Sequence, residues 1–306
     1  MTADVADISV IVPAYRSAET IGRTLASIAA QTVKPACVIV VDDGSPDGTA
    51  EAARAMAGRM NGIDLIVLEQ ENAGAGAARN RALRSASMEF VAFLDADDAW
   101  LPEKIERSMD VLSQTASDLV SHDYVMIKGE TESYINCARH FRGQADPFAS
   151  LFLRGFIATS TIVVRREPIV AAGGFDETLP SGQDFDLWLA LTAGRKVKFH
   201  VFGEALTRYH VIPGSITSRV ASRRRCNLEI LGRYGRVTGA NVFSSLKTMA
   251  LRAAIIQVQT MQAYAAQHKW TDALMTVFST LPTLLSVPGS FRSKAPPRPD
   301  YLQEDA

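Results

Sequence analysis

Cysteine is scarce in this chain, three residues in 306, and Cys37, Cys137 and Cys226 lie too far apart to form a Cys-x-x-Cys pair. That leaves no disulfide framework and no cysteine-based zinc site, and it fits a reducing compartment. An excess of either charge is also missing: 32 basic and 33 acidic residues give a formal net charge of -1. Bulk nucleic-acid binding, which shows as a strong basic excess, gains no support. No apolar run reaches the roughly 18 to 20 residues that a spanning helix needs, since the longest, from Ala273 to Val287, is broken by Thr, Ser and Pro282. Met1 to Asp7 carries acids and no apolar core, unlike a secretory signal. A cytoplasmic protein is the simplest expectation, with peripheral contact on the inner face of a membrane left open. Neither a Gly-x-Gly-x-x-Gly after the first apolar run nor a Walker loop is present, so dehydrogenase and P-loop readings fall away.

What is present is a folded α/β pattern. Hydrophobic residues make up 47% and charged residues 21%, as in globular proteins. Ile8 to Val12, Val38 to Val41, Leu65 to Leu68 and Phe90 to Leu94 are short, continuous and largely β-branched, the signature of strands buried on both faces. Between them, Ala18 to Ala30, Thr49 to Ala57 and Gly76 to Ser85 are rich in helix formers and small residues. The alternation predicts a Rossmann-like, mainly parallel sheet flanked by helices, with ligands beyond the carboxyl ends of its strands. Further strands are expected at Leu119 to Ile127, Thr161 to Val164, Lys196 to Phe202 and Leu206 to Val211, and a helix at Phe185 to Ala193. From about Ala221 the pattern turns helical, with Ser245 to His268 and Thr271 to Thr280 as separate elements.

The unusual residues collect at the strand ends. Phe90 to Leu94 runs straight into Asp95, Asp97 and Asp98. Crowded carboxylates suit a hard cation such as Mg²⁺, which takes one or two of them plus substrate phosphates; they suit equally an acidic turn before a helix, since Pro102 and Glu103 follow. The first strand ends in Pro13-Ala14-Tyr15 and the second in Asp42-Asp43-Gly44-Ser45. An aromatic ring and neighbouring acids suit a nucleoside, although the same residues serve turns. Asn72 to Asn80 opens a helix with small residues and Arg79, a place for an anion or for close helix packing. Asp184, in Gly182-Gln183-Asp184-Phe185-Asp186, enters another helix and reads as a general base or as its N-cap, with Asp186 as a surface acid.

Five of these segments, Ser9 to Tyr15, Val40 to Ser45, Asn72 to Asn80, Phe93 to Asp98 and Gly182 to Leu191, resemble in order the motifs of family 2 glycosyltransferases. The resemblance, over roughly residues 8 to 217, implies a GT-A fold with a nucleotide-sugar half over 1–120 and an acceptor half over 121–220; the residues themselves predict a helical extension over 221–287 and, from a composition rich in Pro, Ser and charge, a disordered tail over 288–306. It implies an Asp-x-Asp element at Asp95 and Asp97 with Asp98 adjacent, a group that holds Mg²⁺ or Mn²⁺ and the donor; family members differ over which acid meets the metal, and here Asp97, with Asp98, is favoured for the metal and Asp95 for the donor. It places Pro13, Ala14, Tyr15, Asp42, Asp43 and Arg79 on the donor nucleotide and makes Asp184 the base.

Departures are visible too. Arg16 stands where many members have Asn, and Gln183 replaces the Glu that usually precedes the base. Tyr209 to Ser215 carries His210 where the family has Arg, which leaves an ordinary strand-end histidine as the alternative to a phosphate or metal role. The Gln-x-x-Arg-Trp signature of processive synthases is absent. The implied activity is metal-dependent, inverting transfer of one sugar from a nucleoside-diphosphate sugar to a sugar or lipid-linked acceptor, as in bacterial surface-polysaccharide or glycolipid assembly. A non-catalytic nucleotide-sugar-binding protein of the same fold is the alternative, and a sugar nucleotidyltransferase a more distant one. The Arg219 to Arg225 cluster suits anionic lipid head groups or a solvated helix end.

Overall fold

The computed structural model describes residues 5–141, 146–194, 196–212, 219–238, 241–280, 282–283, 285 and 299–302. The apolar runs of the first third become β1 (Val5–Ala14), β2 (Lys34–Asp42), β3 (Asp64–Glu69) and β4 (Phe90–Phe93). They are linked by α1 (Ile21–Ala29), α2 (Thr49–Arg54) and α3 (Ala75–Ser85). The strands lie in the order β3-β2-β1-β4, all parallel. Val10 to Val12, Val38 to Val41 and Val91 to Phe93 are buried, as continuous apolar strands require. Leu65 to Leu68 differ from expectation: β3 is the sheet edge, so its residues are only partly covered.

The second half adds β5 (Ala99–Trp100), α4 (Lys104–Thr115), β6 (Leu119–Lys128), β7 (Thr131–Ile135), α5 (Ala138–Phe141) and α6 (Pro147–Arg154). β8 (Val163–Arg165), α7 (Arg166–Ala171), α8 (Gln183–Ala193) and β9 (Phe199–His210) follow. Its strands continue the sheet as β4-β8-β6-β9-β5, with β7 paired to β6. β8 runs antiparallel to both neighbours, so the parallel half meets a mixed half at this strand. The strands expected at Lys196 to Phe202 and Leu206 to Val211 are one, β9. Gly203-Glu204-Ala205 between them looks like a turn, but the chain stays extended there and the register against β6 shifts between His122 and Tyr124. Thr161 belongs to a 3₁₀ turn, Thr159–Thr161, ahead of β8.

The helical extension is α9 (Val220–Tyr234), α10 (Val242–Ala266) and α11 (Trp270–Phe278). Asn241 and Ser244 cap α10 reciprocally. The extension shares the main core: Cys226, Ile230, Leu231, Met249 and Ile256 join the cluster that holds Phe93, Phe175 and Trp188. Of the tail expected to be disordered, residues 299–302 are described and lie against the body of the protein. Tyr301 donates its N–H to Gly173 O at 2.9 Å and its hydroxyl to Asp176 at 3.0 Å, and Leu302 lies against the core. Average composition hides this anchor, because two residues suffice for it. Residues 288–298 and 303–306 of that tail lie outside the described residues. Among the described residues no helix is long and apolar enough to cross a membrane.

Candidate active site

The parallel strands end together, with Ala14 of β1 in register with Asp42 of β2 and Asp42 with Glu69 of β3. Tyr15 leaves β1 45% exposed, and the Arg16 guanidinium lies 5.4 Å from its ring centroid. Arg16 takes a left-handed backbone, φ 53°, a conformation that Asn adopts more easily. Asp42 and Asp43 are both buried. Asp42 accepts the Ser45 N–H at 3.1 Å, which is turn chemistry. Asp43 does more: its carboxylate accepts from Gln70 Nε2 at 2.8 Å, Ala73 N at 2.9 Å and Gly74 N at 2.8 Å. The second strand end thereby fixes the glycine-rich loop that opens α3. Gly44 is forced here, since with φ +71° a Cβ would also fall 2.9 Å from Asn72 N.

From that loop α3 delivers Arg79, buried at 5% exposure, to Asp95: Nη2 to Oδ1 is 2.6 Å. A phosphate partner was expected for Arg79, and a carboxylate takes one edge of it. Its Nε and Nη1 are buried with no hydrogen-bond partner among the described residues, and the guanidinium lies 5.4 Å from the Phe175 ring centroid. The neighbouring Asn80 grips the Gly173-Gly174-Phe175 turn, donating to Phe175 O at 2.9 Å and accepting from Phe175 N at 2.8 Å.

The acids after β4 have three different environments. They lie well ahead of the α4 N-cap, Glu103, so none of them caps that helix. Asp95 is paired with Arg79. Asp98 is fully buried, accepting from Ser160 Oγ at 2.5 Å and from the His210 N–H at 2.9 Å. Burial, then Asp95 and Asp97, push its carboxyl well above the usual range against those two donors. Each Asp98 oxygen thus accepts one hydrogen bond from the protein, from Ser160 on one and from His210 on the other. Asp97 is half-buried, and burial followed by the Asp95 charge raises it to about 6. Among the described residues no side-chain donor reaches its carboxylate, and its own backbone N–H and the Arg23 and Arg79 charges offset the rise only in part; Arg23 binds its carbonyl, at 2.6 Å. A bare carboxylate beside a second acid fits a divalent cation. Among the described residues no three His, Cys, Asp or Glu side chains form a complete metal site.

The 3₁₀ turn Thr159–Thr161 binds this cluster to the other half. Thr159 Oγ1 donates to Asp184 Oδ2 at 2.7 Å, while Ser160 Oγ, besides holding Asp98, accepts the Asp95 N–H at 3.2 Å. Asp184 is the second residue of α8, whose N-cap is Gly182 with φ +77°. The N-cap alternative for Asp184 is therefore not realised. Asp186, expected at the surface, is fully buried and paired with Arg233 of α9 at 2.8 Å, because the same guanidinium also meets buried Asp176 at 2.8 Å. Burial opposes ionisation of Asp176, but donors from Thr178, Arg233 and Tyr301 outweigh it and hold the carboxyl below its ordinary value. His210 contributes its backbone N–H to Asp98, and its Nδ1 is buried without a partner among the described residues. Residues 213–215 of its motif lie outside the described residues. Beside Asp184 a cavity of about 420 Å³ opens between α6, α8, α9 and α10.

Thr159, Ser160 and Arg233 escaped the sequence reading. A signal for the first two existed: three hydroxyl residues interrupt the apolar stretch from Phe156 to Val164.

Residues 9–171, more than half of the chain, match the family described as glycosyl transferase family 2. The chain belongs to this family. It is a glycosyltransferase with the GT-A fold. The amylovoran biosynthesis glycosyltransferase AmsB of Erwinia amylovora is 32% identical over 212 residues, 67% of this chain and 69% of that one. The putative teichuronic acid biosynthesis glycosyltransferase TuaG of Bacillus subtilis is 28% identical, over 69% of this chain and 81% of TuaG. Other relatives are longer, and the match spans only 35% of an uncharacterized glycosyltransferase of Rickettsia conorii. Among solved structures, S. aureus TarS 1-349 with UDP-GlcNAc aligns over 93% of this chain and 91% of its own, TM-score 0.61, at 19% identity. The mannosyltransferase PcManGT of Pyrobaculum calidifontis, with GDP-Man and Mn²⁺, aligns over 95% of this chain and 83% of its own, TM-score 0.61, at 20% identity. At such identities these two likenesses speak for the fold.

Proposed function

We propose that this family 2 enzyme transfers one sugar, with inversion, from a nucleoside-diphosphate sugar to an acceptor hydroxyl. The observation that carries the reading is the Thr159–Ser160 turn, which ties Asp184 and the acid cluster into one rigid unit. Asp184 takes the acceptor proton as that oxygen attacks the anomeric carbon, a contribution of about 10² to 10⁴-fold for a positioned base. The bond to the diphosphate breaks, and its electron pair leaves with the phosphate oxygen. Asp97, with Asp95 beside it, would hold Mg²⁺ or Mn²⁺, which supplies counter-charge for the departing diphosphate. Arg79, whose Nε and Nη1 have no hydrogen-bond partner among the described residues, would add positive charge beside these two acids. Tyr15 stacks on the base, and the strand-end residues Pro13, Ala14, Asp42 and Asp43 shape the nucleoside subsite. The names of AmsB and TuaG favour surface-polysaccharide assembly, and the UDP-GlcNAc, GDP-Man and Mn²⁺ of TarS and PcManGT favour a nucleotide-sugar donor with a cation.

Incubation with a panel of nucleotide sugars, with Mn²⁺ or with EDTA, tests this. Release of nucleoside diphosphate only with metal, lost in Asp184→Asn while donor binding persists, is the expected result. Donor binding without turnover under every condition would favour the non-catalytic alternative.

A further inference from the structure

Arg252, in the middle of α10, has no part in the chemistry just described, yet it is 4% exposed. A buried guanidinium normally faces a carboxylate, because an isolated charge is expensive out of water. Arg252 instead meets neutral groups. Its Nη1 donates to Leu153 O at 2.9 Å, its Nη2 to Asn227 Oδ1 at 3.2 Å, and its plane lies 5.0 Å from the Phe185 ring centroid. Among the described residues no ion pair forms on it, and burial alone pushes its pKa down to about 10. The side chain lines the cavity of about 420 Å³ together with Arg154, Arg223 and Asn227, and Asp184 and Phe185 form another part of the wall. Gly155, at the C-cap of α6 with φ +58°, adds no side chain there; a Cβ would stand 3.8 Å from Arg252 Nη2 and 3.6 Å from the Phe185 ring.

Two guanidiniums on one cavity wall, Arg252 and Arg154, suit an oxyanion, since their planar forks match phosphate oxygens. The Asp184 carboxylate on the same wall repels an anion from its own end and leaves that end for a neutral hydroxyl. The volume lies in the range of small-molecule sites, about 300 to 1,000 Å³. We propose that this cavity is the acceptor subsite and that the acceptor is anionic, its phosphate or diphosphate held by Arg252 and Arg154 while its hydroxyl is presented to Asp184. The inference rests on Asp184 as the base for its orientation, and on Arg252 for its charge.

The test is calorimetric titration of inorganic pyrophosphate into the protein in EDTA, where metal-dependent donor binding is silent, with UDP plus Mn²⁺ titrated separately. Wild type should bind pyrophosphate. Arg154→Gln, a change at an exposed side chain, and Arg252→Lys, which keeps the charge but loses the fork, should each weaken it about tenfold, the loss expected of a charge-assisted hydrogen bond. UDP–Mn²⁺ binding should be unchanged in both, which also reports that they fold. Farnesyl diphosphate binding more tightly than pyrophosphate identifies a lipid-linked phosphate; glucose 1-phosphate binding more tightly identifies a phosphorylated glycan, and either supports the subsite. Absence of pyrophosphate binding, or equal affinity in wild type and both variants, overturns it. Loss of UDP–Mn²⁺ binding by wild type would instead strike the donor reading and leave the anion subsite standing.

Discussion

Thr159 donates its hydroxyl to Asp184 at 2.7 Å across 25 residues of sequence. The next residue, Ser160, is committed to Asp98 and Asp95. One short turn thus sets the distance between a candidate base and a candidate cation site, and its main-chain carbonyl at Ser160 is itself held by Trp100 Nε1 at 2.7 Å and Thr207 Oγ1 at 3.2 Å.

Thr159→Val removes a hydrogen bond to a charged group, worth about 1.5 to 3 kcal/mol. Turnover should fall about tenfold or more with little change in donor affinity, and Thr159→Ser should restore most of it. Single-turnover kinetics beside UDP–Mn²⁺ titration reads both; a loss confined to donor affinity would contradict the positioning role.

Asp97 and Asp98 should separate cleanly. Asp97→Asn is expected to weaken Mn²⁺-dependent UDP binding while the fold remains at least as stable, because a buried like charge is removed. Asp98→Ala strands the Ser160 hydroxyl and the His210 N–H, and unmet buried groups cost about 1 to 3 kcal/mol each, so urea denaturation should show a clear loss of stability. The reverse pattern would exchange the two roles.

Arg233→Met leaves Asp176 and Asp186 buried without their cation. Breaking one side of a buried pair costs about 3 to 5 kcal/mol. The melting temperature should drop sharply, and Arg233→Lys should recover part of it. An unchanged melting temperature would show that the extension is not tied to α8 through this residue.

His122 is fully buried, and desolvation first, then the Lys104 charge, lowers its pKa from 6.5 to about 3. The sign follows: between these values the unfolded chain binds a proton that the native state refuses, so stability falls as pH drops from 6.5 towards 3. The slope is at most about 1.4 kcal/mol per pH unit for one proton. Denaturation of wild type and His122→Asn across that window should give converging stabilities at low pH; parallel curves would refute the assignment.

The parallel half of the fold was legible because its evidence is local. Val10 to Val12, Val38 to Val41 and Phe90 to Leu94 are continuous apolar runs, and a buried strand needs nothing else to announce it. The edge position of β3 and the fusion of two expected strands into β9 were not legible, since both depend on which neighbour lies alongside. Asp186 looked like a surface acid for the same reason: its partner, Arg233, is 47 residues away.

The candidate site divides along that line. Residue order alone brought Tyr15, Asp42, Asp43 and Asp95 to Asp98 to one edge of a parallel sheet, because strand polarity carries every βα junction to the same side. The tertiary structure decided what each carboxylate does. Asp43 builds the glycine-rich loop, Asp95 meets Arg79, and Asp98 is held by Ser160 and by His210, 62 and 112 residues away. Among the described residues Asp97 is left without a side-chain donor. A carboxylate's role is set by the donors and charges that surround it, and those arrive from segments that local periodicity does not connect.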